Sequence, residues 1–494
     1  MKLYLSKSKY CDAVQCPKML WMKQNKPEEF DESVMNQVVL DNGSEVGDSA
    51  MGLLGEYVEV PFDSDLGKMI KKTEELLEAG TSIICEASFA YEGLFCSVDI
   101  LKNLGGNKFE LYEVKSSAKM KDIYHHDAAF QYYVLTKLGY EVTKACLVHL
   151  NNKYVRHGDL DIQELFTIND ITDDARSRYS EVERNLKYFA NFLDAADEPE
   201  LPLGVYCSDP YDCGFFKHCT KDLPSPNVFD IRKMSFKKKL QLYNEGCVSF
   251  EDLLQNNTVG KSFMLQIRHE VCSLQPFINK ERIAEFMKWL YYPIYFLDFE
   301  SFQPAIPLYD NSSPYNQIVF QYSLHYIEQE GGELHHKEYL AEPGDDPRRK
   351  LAEQLCIDIP KNVCVTAYNM TFEKDRIKEL AQLYPDLSEH LMNIHDHIVD
   401  LIVPFRSKDY YCKAMQGSCS IKFVLPALFP DDPSLDYHNL EDIHHGGEAS
   451  AAFSLMQNMA PDELQRCRKN LLKYCGLDTY AMVKLWEKLK EAVK

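Results

Sequence analysis

The chain has 494 residues, 45% of them apolar and 26% charged, with a net charge of −22. That length carries two or three domains with ordinary cores, while the acidity excludes a simple basic nucleic-acid coat. No apolar run reaches the roughly 18 residues of a membrane span, and Met1 to Tyr10 is short and polar without the apolar stretch of a secretory signal, so the cytoplasm is the expected location.

Residues 1–225 mix helices with short strands and end in a cysteine-bearing loop, after which Pro224 and Pro226 punctuate the chain. Within them, "LFCSVDILKNLGGNKFELYEVKSS" has two alternating runs on either side of Gly105-Gly106, the pattern of a β-hairpin. Pairing across that turn sets residues whose numbers sum to about 211 opposite one another, so Asp99 falls near Tyr112 and Glu113. A period of two puts Glu113 and Lys115 on one face. Two carboxylates so placed hold a metal, and a lysine beside them positions a water or stabilises charge developing on phosphate. The plainer reading is a surface strand with a Glu–Lys pair of little energetic weight.

Asp-x(n)-Glu-x-Lys followed by a helix with "HHDAAFQYYVL" resembles the PD-(D/E)XK nucleases of the RecB-like type. Gln131 matches the glutamine of that helix, and Glu86 in "CEASFAYEG" matches an acidic position ahead of the hairpin. The opening "LSKSKYCDAVQCPKMLW" and the later "YCSDPYDCGFFKHC" are similar to the iron–sulfur members of that group, including the CRISPR-associated RecB-like nucleases and the AddB type. The resemblance covers about residues 1–220. It implies a restriction-endonuclease-like α/β domain with Asp99, Glu113, Lys115 and Gln131 as catalytic residues and Asp99 and Glu113 as metal ligands. There is one departure. Such nucleases often carry a metal-binding histidine in an early helix, where "GSEVG" here has Gly47. Either metal binding is weakened there or Glu45 substitutes.

The chain has 16 cysteines, which in a reducing compartment point to a metal where they cluster. Most are isolated in apolar runs, as in "TKACLVHL" and "NVCVTAY", and read as small core residues. Cys207, Cys213 and Cys219 instead lie six apart in a loop with Pro210 and Gly214, and Cys16 lies in the opening helix. Four thiolates ligate a [4Fe–4S] cluster, which would clasp the two ends of the domain and close a long loop. Tetrahedral zinc is the chemical alternative, although the spacing is not a Cys-x-x-Cys pair; unligated core cysteines are the bland one. Cys11 competes with Cys16, and "CPKMLW" matches the family's cysteine-then-basic pattern in favour of Cys16.

Residues 226–288 read as helical. "RKMSFKKKLQLYNEGCVSFEDLL" suggests a helical hairpin joined at Glu245-Gly246, with Gly246 ending the first helix and Ser249 capping the next. It is weakly similar to helix-hairpin-helix elements, in which helix N-termini and Lys237, Lys238 and Lys239 would meet phosphates; a structural spacer is the other reading. From Asp230 to Leu290 there are ten Lys/Arg against seven Asp/Glu, a local excess of +3 in an acidic chain.

From residue 289 to 494 strands return and alternate with helices, which predicts an α/β domain. "PIYFLDFES" reads as a buried strand with Asp298 and Glu300 on one face and Leu297 and Phe299 on the other. Two carboxylates on an apolar strand repel each other and are costly to bury without a cation. Hard oxygen ligands suit Mg²⁺ or Mn²⁺; a strand end whose acids reach water is the alternative. "NVCVTAYNMTFEKDRIKEL" predicts a strand, a turn at Tyr368-Asn369 and a helix with Glu373 in its first turn. "NLLKYCGLDTYAMVKLWEKL" predicts a helix that sets Tyr474 and Asp478 on one face.

The order Asp-x-Glu, Asn-x-x-Phe-Glu, Tyr-x-x-x-Asp resembles the DnaQ-like (DEDD) 3′–5′ exonuclease superfamily, which has a ribonuclease H-like fold. The Tyr-x-x-x-Asp form is similar to its tyrosine branch; the histidine branch would have His where this chain has Lys473. "GSCSIKFVLPALF", with Asp400 before it, matches the region between motifs, and the resemblance covers residues 290–494. The second motif usually ends in Asp, and here Glu373 stands there, with Asp375 as a less well-spaced alternative. The resemblance implies two-metal phosphodiester hydrolysis: Asp298, Glu300 and Asp478 hold the ions, Glu373 reaches one directly or through water, and Tyr474 orients the attacking water. The whole chain is thus expected to be an α/β multidomain nuclease acting on nucleic acid, DNA ahead of RNA. Two other outcomes remain open, a nucleic-acid-binding or assembly protein with one or both sites inactive, and an RNA 3′–5′ exonuclease.

Overall fold

A computed structural model of the chain describes residues 4–34, 37–256 and 259–494. The chain is α/β and forms two compact units. The first takes the chain up to Asp222 together with a returning segment, Pro304–Asn316; the second comprises Leu223–Gln303 and Gln317–Lys494. The helical stretch 226–288 therefore packs with the α/β region that follows it.

The first unit is built on a seven-stranded mixed sheet. Strands Ile83–Tyr91, Leu94–Asn103 and Lys108–Lys115 form an antiparallel meander, and Lys108–Lys115 then pairs in parallel with Glu141–Leu150. The hairpin turn runs through three positive φ angles, which Gly105 (79°) and Gly106 (57°) supply without strain and Asn107 (61°) completes. Its register pairs Leu101 with Leu111, so residues summing to 212 face each other and Asp99 lies opposite Glu113. Helix Asp122–Lys137 makes the crossover between the parallel strands and buries Ala128, Phe130 and Val134 against Ala87, Val98 and Leu111. The segment Pro304–Asn316 adds Ala305 and Ile306 to a second cluster around Ile83, Ile100 and Val148. Arg156 donates to the Pro307 carbonyl at 2.8 Å, and Tyr315 to the Ser116 carbonyl at 2.6 Å.

The second unit has a five-stranded sheet ordered His335–Leu340, Ile318–Ile327, Ile294–Phe302, Cys364–Ala367, Ile398–Asp400. The first three strands are antiparallel and the last three parallel. One face of Ile294–Phe302 contributes Tyr295, Leu297 and Phe299 to the core, as the alternation predicts. The other face meets a long helix, Pro461–Val493, where Trp486 packs on Phe296. Pro461 starts that helix where its missing N–H is harmless. In the helical part, Gly246 (φ 83°) follows helix Phe236–Asn244, and Ser249 Oγ accepts the Asp252 N–H at 3.1 Å while Asp252 accepts that of Ser249 at 2.8 Å. Among the described residues no helix is long and apolar enough to cross a membrane.

Candidate functional site

In the second unit the predicted acids converge. Asp298 and Glu300 come from the central strand, Glu373 from the first turn of helix Thr371–Leu383, and Tyr474 and Asp478 from the long helix. The turn before the Glu373 helix is shaped by Asp400, whose Oδ1 accepts the Asn369 N–H at 2.9 Å. A bulge between Val319 and Gln321 lies beside Glu300 on the neighbouring strand. Asp375, the alternative to Glu373, is exposed on the outer side of the helix.

The electrostatics of this cluster are lopsided. Burial, then Asp478, Glu300 and Glu373, push the Asp298 carboxyl far above its usual range. Burial and then Asp478 raise Glu300 to about 8. Burial and then Asp400 raise Glu373 to about 8, and its Oε2 is buried with no hydrogen-bond partner. Burial raises Asp478 to about 6 against hydrogen bonds from Tyr437 and Tyr474. Two partners were absent from the sequence expectations. Tyr437 donates to Asp478 Oδ1 at 2.6 Å. Lys422 donates to the His444 carbonyl at 3.0 Å, lies over the rings of Tyr437 and Tyr474, and offsets the charge of Glu300 and Asp478. Cys475, next to Tyr474, lies 3.7 Å from Asp298 Oδ2. Among the described residues, three donor atoms of Asp, Glu, His or Cys come within 4.8 Å of one another at Asp298, Glu300 and Cys475 and nowhere else.

The first unit also gathers its predicted residues, with different chemistry. Lys115 Nζ lies 2.6 Å from Glu113 Oε1 and 2.5 Å from Asp127 Oδ2. The fully buried Gln131 amide donates to Glu113 Oε2 at 2.6 Å and Asp127 Oδ1 at 3.0 Å. Lys7 Nζ reaches Asp99 Oδ1 at 3.1 Å and Glu113 Oε1 at 3.0 Å. Asp127 precedes Gln131 by one helical turn, a spacing that the sequence displays. Lys7 is brought in from another element by the fold, and no local pattern marks it. Glu86 (φ 56°) faces the same group, and burial followed by Asp99 raises it to about 7. Gly47 sits in helix Gln37–Ala50 with, among the described residues beyond its helix neighbours, nothing within 4 Å of where a Cβ would stand, and Glu45 is exposed.

Cys16, Cys207 and Cys213 are buried and Cys219 is half-buried. Burial and then Cys213 raise the Cys16 thiol to about 12; burial raises Cys207 to about 11, with Cys213 and Cys219 adding to it. Backbone groups of Lys18, Met19, Gly204 and Phe215 hydrogen-bond to the Cys16, Cys207 and Cys213 sulfurs and favour their thiolates. Gln15 fastens the loop by donating to the Tyr206 and Tyr211 carbonyls at 2.9 and 2.7 Å. Glu198 ties Lys18 (2.6 Å), Lys26 (2.7 Å) and His218 (3.1 Å) beside the cluster. Cys11 lies instead toward Asp127 and Lys115, at the carboxylate group. Cys146 and Cys364 are buried core residues. In the helical part Lys237 and Lys238 are exposed, whereas Lys239 donates to the Phe229 carbonyl at 2.7 Å.

Residues 295–420 match a family described as a domain of unknown function, DUF2779. That stretch holds Asp298, Glu300, Glu373 and Asp400 and ends before Lys422, Tyr474 and Asp478. The chain is 28% identical over 217 residues to an uncharacterized protein of Mycoplasma genitalium, covering 41% of this chain and 32% of that one. It is 29% identical over 163 residues to an uncharacterized protein of Ureaplasma parvum, covering 31% of this chain and 23% of the relative. These alignments thus span about a third and about a quarter of the curated relatives.

Proposed function

We propose that this protein is a metal-dependent nuclease whose phosphodiester hydrolysis takes place in the second unit, on a ribonuclease H-like domain of the DnaQ-like type. One observation carries the reading. Glu300, Glu373 and Asp478 are buried and Asp298 is half-buried beside them, their carboxyl groups raised by desolvation and mutual repulsion, and Lys422 is the adjacent cation. Such a group is stable in charged form only with added positive charge. The donor set is mainly oxygen, which fits Mg²⁺ or Mn²⁺. Asp298, Glu300 and Asp478 would hold the ions with Glu373 in support, and the bound ions would supply an activated water and offset charge on the leaving oxygen. Tyr474 would orient that water from its place beside Asp478, and Lys422 would meet a phosphate oxygen.

The first unit is read as a restriction-endonuclease-like, RecB-like domain that binds nucleic acid, with Cys16, Cys207, Cys213 and Cys219 around a [4Fe–4S] cluster. Tetrahedral zinc on the same four thiolates is the chemical alternative. The substrate is nucleic acid, with DNA ahead of RNA. End-labelled single- and double-stranded DNA and RNA, incubated with Mn²⁺, test the function. Wild type should degrade at least one of them, and Asp298→Ala and Asp478→Ala should lose more than about 100-fold of the rate while keeping the wild-type circular dichroism. Equal activity in wild type and both variants would sink the assignment. Anaerobically purified protein should absorb near 400 nm; stoichiometric zinc without colour would refute the cluster.

A further inference from the structure

Asp99 and Glu113 are the pair to which the RecB-like resemblance gives a divalent ion, and here they hold an ammonium group. Lys7 Nζ lies 3.1 Å from Asp99 Oδ1 and 3.0 and 3.1 Å from the two Glu113 oxygens. The other Asp99 oxygen accepts the Val114 N–H at 2.6 Å. Glu113 also receives Lys115 at 2.6 Å and the Gln131 amide at 2.6 Å. Every oxygen of the pair therefore has a nitrogen donor already. No three acidic, histidine or cysteine donor atoms in this group come within 4.8 Å of one another, in contrast to Asp298, Glu300 and Cys475. Gly47 offers no ligand atom, and among the described residues beyond its chain neighbours no side chain lies within 4 Å of the Cβ position there.

Charge points the same way. Two ammonium groups, Lys7 and Lys115, face Asp99, Glu113 and Asp127. The helix that Lys7 begins, Lys7–Gln15, is fixed at both ends: Ser6 caps the first turn, and Gln15 is fastened to the cysteine loop. Lys7 is thus set in place by structure on either side of it.

We propose that Lys7 is the resident cation of the first unit, its ammonium standing between Asp99 and Glu113 in place of a divalent metal. An ammonium group offsets carboxylate charge but carries no activated water. The first unit's constellation is then a metal-free centre. The inference rests on the geometry of the first unit and does not need the hydrolysis proposed for the second.

Mn²⁺ binding to the full chain, followed by the electron paramagnetic resonance of free Mn²⁺, tests it without reference to activity. The background is Asp298→Asn with Asp478→Asn, which silences the second unit. This background should bind no Mn²⁺ that Asp99→Asn removes. Adding Lys7→Ala, or Lys7→Met to retain bulk, should create one Mn²⁺ site per chain, and Asp99→Asn should abolish it. Mn²⁺ bound while Lys7 is intact and lost on Asp99→Asn would overturn the proposal; that comparison needs no Lys7 variant to fold. Folded Lys7→Ala and Lys7→Met chains that gain no Mn²⁺ would overturn it as well.

Discussion

Glu373 is the acid of the second unit with the least compensation, because its Oε2 is buried with no donor. Its folded pKa, about 8, lies above the ordinary value of 4.5. A raised acid favours the folded state while protonated, so that contribution is complete below about 4.5 and is lost as pH rises through about 8. Glu373→Gln, which mimics the protonated form, should therefore melt higher than wild type in metal-free buffer at pH 8 and equally near pH 4. The same variant should lose about 10- to 100-fold of the metal-dependent rate. An unchanged melting difference across that range would remove the charge argument. Lys422→Met should lower the rate by a similar factor without unfolding the chain, and Lys422→Arg should recover part of it. Some of these residues were legible and some were not. Asp298 and Glu300 stand out because a strand's period of two fixes their common face, and Tyr474 and Asp478 because a helix does. Lys422, Tyr437 and Lys7 carry no such mark: Tyr437 meets Asp478 across 41 residues and Lys7 meets Glu113 across 106.

Elements with local punctuation could be read directly. Gly105-Gly106 marked the hairpin and, to within one residue, its register, because the turn's positive φ angles favour glycine, with Asn107 the third residue in that region. Gly246 and Ser249 marked a helix end and a helix start for equally local reasons. The excursion Pro304–Asn316 was not legible, since a short segment that leaves one unit to complete another changes no periodicity. Neither was the Glu198 tie, which joins helix Lys18–Asn25 to the short helix Phe216–Cys219 that ends in Cys219. Against burial, hydrogen bonds from Lys18, Lys26 and His218 hold the Glu198 carboxyl down at about 2, below its ordinary 4.5. A depressed acid stabilises the fold above about 4.5 and loses that effect as pH falls toward about 2. Glu198→Ala should accordingly destabilise the first unit near neutrality, and the difference from wild type in denaturant midpoint should shrink on acidification. A difference that is constant with pH would mean that Glu198 acts through packing alone.

At the scale of the whole molecule, the two units answer the problem of buried carboxylates in opposite ways. The first carries its counter-charge in Lys7 and Lys115. In the second, Asp298, Glu300, Glu373 and Asp478 have Lys422 as a partial offset, and the proposed function gives the remainder to an external cation. Metal and protons then compete for the same oxygens in the second unit. Burial raises Glu300 and Glu373 to about 8 and Asp478 to about 6, so an incoming ion must expel more protons from these carboxyls at pH 6 than at higher pH. Apparent Mn²⁺ affinity should rise steeply between those limits, with proton release measurable by calorimetry in buffers of different ionisation enthalpy. The metal-free second unit should weaken over the same range, because raised acids lose their stabilising proton as pH climbs. Mn²⁺ that binds the folded state alone restores it by mass action. Heating the full chain should thus show a melting transition that Mn²⁺ moves upward more at pH 8 than at pH 6. Glu300→Gln together with Glu373→Gln should flatten that pH dependence, and a transition that Mn²⁺ shifts equally at both pH values would show that these carboxylates are not where the ion binds.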